Sequence, residues 1–91
     1  MQILFEKSFS YSLLNIIRYI AKDKKSAAIN FKKELQNKIS LLKKSPFMCP
    51  PSHYFENQDY RDLTFKGYTI IYKIEDDFIK ILDVFKWQTF N

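Results

Sequence analysis

Few side chains in this 91-residue chain could take part in chemistry. His53 is the only one whose unperturbed pKa lies near neutrality, so it is the candidate for proton transfer, although a lone loop histidine is often a solvated bystander. Arg61, within Tyr60-Arg61-Asp62-Leu63, can hold a phosphate through two parallel hydrogen bonds. Its bland alternative is a structural ion pair with Asp83 or the C-terminal carboxylate. Lys66 and Lys86 are point charges for an anionic partner, and Lys66 sits beside Gly67 where lysine ordinarily serves solubility. Trp87 and Phe90 flank Lys86 and Gln88. Aromatic rings beside a cation can stack on bases or anchor a protein interface, and they can equally close the end of a core. Cys49 has no activating cation near it in the sequence, so a buried, inert thiol is expected. One Cys and one His cannot build a metal cluster, and no Gly-rich phosphate loop, paired-carboxylate motif or serine–histidine arrangement occurs. No cofactor or metal is expected.

These residues need elements to carry them. Gln2 to Phe5 reads as a first strand. Ser8 is a candidate N-cap, because its hydroxyl can accept from a free amide of the first turn. Phe9, Leu13, Ile16, Ile17 and Ile20 then recur at helical spacing to about Lys22. Asp23 is the expected cap of a second helix whose buried stripe is Ala28, Phe31, Leu35, Ile39 and Leu42. Ser45-Pro46 ends it, since proline lacks the amide donor and turns the preceding residue away from α. Residues 46–58, with Pro46, Pro50 and Pro51, form an ordered but irregular connection. Tyr60 to Phe65 is a strand with Arg61, Leu63 and Phe65 on one face. Lys66-Gly67 makes a tight turn, with Gly67 free to take positive φ. Tyr68 to Ile74 and Phe78 to Phe85 complete the strands. Ile81, Leu82, Val84 and Phe85 make the last one apolar on both faces, which places it centrally in the sheet.

The expected fold is therefore α+β, in the order β-α-α-β-β-β, with a helical hairpin packed on a small, mainly antiparallel sheet. Residues 1–91 suffice for one domain and not for two. Apolar residues make up 46% of the chain and aromatics 18%, which excludes a disordered segment. No apolar run is long enough for a signal peptide core or a membrane span, and the lone cysteine suits a reducing cytoplasm. The net charge of +5 is uneven. Residues 1–50 hold ten Lys/Arg against three Asp/Glu, or +7, and residues 51–91 hold five against seven, or −2. An acidic partner would be steered to the first half.

Several strings resemble the RelE/ParE toxin superfamily, and its ParE-like members more closely. They are Ile16-Ile17-Arg18-Tyr19-Ile20-Ala21-Lys22-Asp23 with Ala27-Ala28 and Phe31, then Leu41-Leu42-Lys43-Lys44-Ser45-Pro46. Tyr60-Arg61-Asp62-Leu63, Tyr68-Thr69-Ile70-Ile71-Tyr72-Lys73-Ile74 and Ile81-Leu82-Asp83-Val84-Phe85 follow in the order of the family's core strands. The resemblance covers nearly the whole chain. It implies the toxin of a type II toxin–antitoxin pair, a growth inhibitor of the plasmid-stabilising kind, silenced by a cognate antitoxin in a dimer or hetero-oligomer. ParE-like members bind DNA gyrase, and RelE-like members cut mRNA on the ribosome.

The nuclease would need a proton acceptor, a cation for the developing charge on phosphorus and a proton donor for the leaving oxygen. Arg61, Lys86 and His53 are the candidates for those roles. Lys86 stands where many relatives carry His, Gln88 where many carry Arg, and Thr69 where RelE-type nucleases tend to have Arg. The tail also lacks the RelE-type tyrosine. The gyrase-binding reading is thereby favoured, with Arg61, Lys66, Lys86, Trp87, Gln88 and Phe90 as the surface that meets a target. A ribosome-dependent endoribonuclease and a non-toxic relative that only binds a partner are the alternatives. All three readings expect Arg61 and the final residues to share one working surface.

Overall fold

A computed structural model describes residues 1–86. Strand β1 (Gln2–Phe5) leads through Glu6 into helix α1 (Lys7–Asp23), and Lys24 alone separates α1 from α2 (Lys25–Ser40). A 3-10 turn at Leu41–Lys43 ends the helical part. After the connection come β2 (Tyr60–Phe65), β3 (Tyr68–Ile74) and β4 (Phe78–Lys86). The sheet order is β1-β4-β3-β2, parallel between β1 and β4 and antiparallel elsewhere. The hairpin covers one face, giving the α+β architecture expected, with β4 in the interior of the sheet.

Neither helix begins as the sequence suggests. Glu6 is the N-cap of α1 and Lys24 that of α2, and neither makes a side-chain cap bond. The Ser8 hydroxyl instead donates to the carbonyl of Leu82, 2.7 Å away on β4. Asp23 is the last residue of α1. Lys24 serves both helices through its extended backbone, its amide donating to Ile20 and its carbonyl accepting from Ala28. This is why the hairpin needs almost no linker.

Phe31, Leu35, Ile39 and Leu42 of the second helical stripe are buried in one cluster with Phe9, Leu63, Phe65, Ile70, Tyr72, Ile79, Ile81 and Val84. On α1 only Phe9 is fully buried, and Leu13, Ile16 and Ile20 pack as half-buried residues. Strand β4 keeps a single core face despite its irregular spacing. Tyr72 lies opposite Ile81 while Ile71 lies opposite Asp83, so Leu82 is an extra residue in a bulge. The bulge lets Ile79, Ile81 and Val84 face the core together, and it accounts for the two-faced apolar look of the strand. At the β2–β3 turn both Lys66 (φ 49) and Gly67 (φ 83) are left-handed, the pattern of a two-residue hairpin turn twisted like its strands. The positive φ expected at Gly67 is present, and Lys66 shares it.

Candidate functional site

Arg61 lies on the face of β2 shared with Leu63 and Phe65, as its spacing requires. No ion pair joins Arg61 to Asp83 among the described residues, and the C-terminal carboxylate lies outside them. The Nε donates to the Gln58 carbonyl at 2.8 Å, Nη1 donates to the Cys49 carbonyl at 3.0 Å, and the guanidinium lies 4.9 Å over the Phe47 ring. Two of its five donors therefore fasten both ends of the connection to the sheet.

The rest of the connection is held just as closely. The Tyr72 hydroxyl donates to the Pro46 carbonyl at 2.7 Å, the Asp62 amide to Pro50, and the Ser52 amide to Tyr60. The His53 amide donates to Asp62 Oδ2 at 3.0 Å, and the Tyr54 amide to Ser52 Oγ. The Phe55 ring stacks on Tyr60 at 4.1 Å, and the Tyr54 ring meets the edge of Phe85. The chain thus pairs along the edge of β2 and then crosses the sheet face opposite the helices, helping to cover Asp62, Thr69 and Ile71. Asp62 is buried, and its Oδ1 has no hydrogen-bond partner among the described residues. Burial pushes the Cys49 thiol pKa up, so the thiol stays protonated and unreactive at neutral pH. Tyr72 is pushed up as well, first by burial and then by its bond with Cys49.

The three candidates for nuclease chemistry are not brought together. Arg61 is opposite Tyr72, and Lys86 is opposite Tyr68. Those partners are four residues apart on β3, roughly 13 Å at a strand rise near 3.3 Å, and two strand spacings lie across them. His53 is exposed in the segment that crosses the other sheet face. Arg61 and Lys86, the part of the expected common surface that lies among the described residues, are set apart for a topological reason. Arg61 is near the start of β2, and β4 runs out at the end where β2 finishes. Trp87, Gln88 and Phe90 lie outside the described residues. Lys86 is exposed beside a shallow groove of about 360 Å³ lined by Ser12, Asn15, Tyr19 and Phe85. Lys66 reaches back to Glu34 of α2 at 2.9 Å.

A larger groove, about 710 Å³, runs between β1 and the hairpin. Ile3, Phe5, Phe9, Leu13, Leu35 and Ile39 give it apolar walls. Lys43 stands at its rim, where its carbonyl accepts from the Met1 amino group at 3.4 Å. Phe5 is 54% exposed and stacks on Phe9 at 5.5 Å. Beyond Phe5 runs the outer edge of β1, a sheet edge with no neighbouring strand among the described residues. Apolar walls, a cation at the rim and an open strand edge suit an amphipathic acidic segment of another chain. The sequence signal for this groove was weak, because its residues come from β1, α1 and α2 and make no motif together. Among the described residues, no helix is long and apolar enough to cross a membrane.

A family model described as the ParE toxin of the type II toxin–antitoxin system parDE matches residues 3–87. Among solved structures, a chain of the chromosomal ParDE TA system from P. aeruginosa superposes with a TM-score of 0.78. That chain is 14% identical, with 97% of each chain covered, a likeness that shows the fold. No curated protein matches the chain.

Proposed function

Since the chain belongs to the ParE toxin family of type II toxin–antitoxin systems, we propose that it inhibits growth by binding DNA gyrase in the cytoplasm, and that a cognate antitoxin silences it. One observation carries the choice of gyrase over mRNA cleavage. The side chains available for phosphoryl chemistry are dispersed, with Arg61 spent on the carbonyls of Cys49 and Gln58. General acid–base work needs its groups within hydrogen-bond reach of one substrate, and positions on separate faces and ends of a sheet do not offer that. A binding protein needs only surface.

The antitoxin is proposed to lay an acidic, amphipathic segment into the groove beside β1, ordering as it binds. Its apolar side would meet Phe5, Phe9 and Leu13, and its acidic side Lys43. Such a segment gains affinity from apolar burial and association rate from charge.

The test is induced expression without the antitoxin, read by a DNA-damage reporter and by mapping of transcript ends. Filamentation with a damage response and no new mRNA ends is the expected result. Codon-positioned cuts that disappear in Arg61→Ala would overturn it in favour of the nuclease. Unimpaired growth with folded protein present would leave the partner-binding, non-toxic relative.

A further inference from the structure

The helical layer carries charge that its surroundings do not balance. All ten Lys and Arg of residues 1–50 are without an ion pair among the described residues. The three pairs among the described residues all use sheet-side lysines, Lys66, Lys73 and Lys80. Two of these draw in Glu34 and Glu6, leaving Asp23 as the one acidic side chain of the first half outside a pair. Cations are densest where the helices meet. Arg18, Lys22, Lys24 and Lys25 fall within eight residues, all exposed, with Asp23 the only acid among them. Tyr19, in the same stretch, is 68% exposed.

We propose that this tip of the hairpin binds the phosphate backbone of duplex nucleic acid, irrespective of base sequence. A duplex carries a phosphate charge about every 1.7 Å of its axis, so neighbouring cations can each displace counterions from it. A phenol hydroxyl among the cations adds a neutral donor to phosphate oxygen. A surface built only for solubility would intersperse both signs. The acidic segment of the antitoxin is a poorer match for this place. Lys22 lies fifteen helical residues from Lys7, roughly 22 Å at a rise of 1.5 Å, and the proposed antitoxin groove adjoins the Lys7 end of α1. The tip is therefore open to a second partner while the groove is filled, and the proposal stands independently of the gyrase reading.

The experiment uses the full chain and a fluorescein-labelled duplex of about 25 base pairs, followed by anisotropy from about 50 to about 200 mM salt. Two variants remove three positive charges each, K22Q/K24Q/K25Q at the tip and K66Q/K73Q/K80Q on the sheet, and thermal melting establishes that both are folded. The wild-type chain is expected to bind with a micromolar dissociation constant at the low end, weakening steeply with salt. The tip variant should bind at least about tenfold more weakly there, with a log–log salt slope shallower by about 2.7, the value for three phosphate contacts. The sheet variant should lose less than about threefold. Equal losses in the two variants would mean that net charge alone acts and would overturn the site. So would no duplex binding at low salt, or binding of polyglutamate in its place, which would assign the tip to an acidic protein.

Discussion

Two regions of the molecule expose aromatic rings, and they hold them differently. In the connection, Phe47 is 58% exposed and Phe55 43%, yet Phe47 lies beneath the Arg61 guanidinium and Phe55 is stacked on Tyr60. The backbone between them is pinned by Arg61, Tyr72 and Asp62 from β2 and β3. At the other end of the sheet order, Phe5 is 54% exposed on a four-residue edge strand, with Phe9 as its stacking partner. The connection has been made into structure, and its aromatic surface is a by-product of anchoring an irregular segment. The β1 edge keeps together an apolar wall and backbone unpaired among the described residues, the combination that a second chain can complete. Substitutions at the first should therefore appear as stability, and substitutions at the second as affinity.

The sharpest way to break this contrast is at Tyr72, which is wholly buried and holds Pro46. Tyr72→Ala removes a large ring from the core and the anchor of the connection, and should cost about 3–5 kcal/mol in urea unfolding. A loss under about 1 kcal/mol would show that the connection closes over the gap and anchors little. Arg61→Ala comes next. It deletes two charge-assisted bonds to carbonyls and the stack on Phe47, with an expected loss of about 2 kcal/mol. Amide exchange should quicken in 46–58 before it does in α2. If toxicity vanished while stability and exchange were unchanged, Arg61 would belong to a target site and not to this clamp.

Phe5→Ser probes the other region. Folding stability should change by less than about 1 kcal/mol, because the ring is mostly exposed, as surface substitutions generally do. Affinity for the antitoxin should fall tenfold or more, the loss of a central aromatic anchor. Isothermal titration with the antitoxin segment reads this directly, and unchanged affinity with Phe5→Ser would move the antitoxin away from the β1 groove.

The elements that a periodic pattern could reveal were legible in the sequence. The stripe from Ala28 to Leu42, through α2 and the 3-10 turn after it, and the shared face of Arg61, Leu63 and Phe65 follow from spacing alone. What escaped depends on partners far away along the chain. Ser8 reads as a cap because its neighbours are helical, but the acceptor it finds is Leu82, 74 residues on. The carbonyls that occupy Arg61 belong to an aperiodic segment, so nothing local announces them. The relation of Arg61 to Lys86 turns on which end of a sheet each strand reaches, a property of topology that neither residue encodes. The β1 groove escaped for the same reason, being assembled from three elements.

The smallest effect is absent at neutral pH and concerns how the clamp fails. Cys49 and Tyr72 titrate ordinarily at 9.0 and 10.0, and burial, the largest cause in each case, raises both in the folded chain. A group whose folded pKa lies above its unfolded value holds its proton more firmly when folded. Its contribution is complete below the unfolded value and is lost as pH climbs through the folded one. Stability should thus be flat from pH 7 to about 8.5 and decline from about pH 9, by at most about 1.4 kcal/mol per pH unit for each group. Lysine titration also begins in this range, so the informative measurement is a difference between chains. Urea unfolding of Cys49→Ala followed over the same pH range should show a shallower decline than the wild-type chain, because the buried thiol is gone while Tyr72 still donates to Pro46. Parallel declines would mean that the alkaline loss comes from groups other than the Cys49 thiol, such as Lys73, whose pKa its pair with Glu75 raises, and that the clamp stays shut.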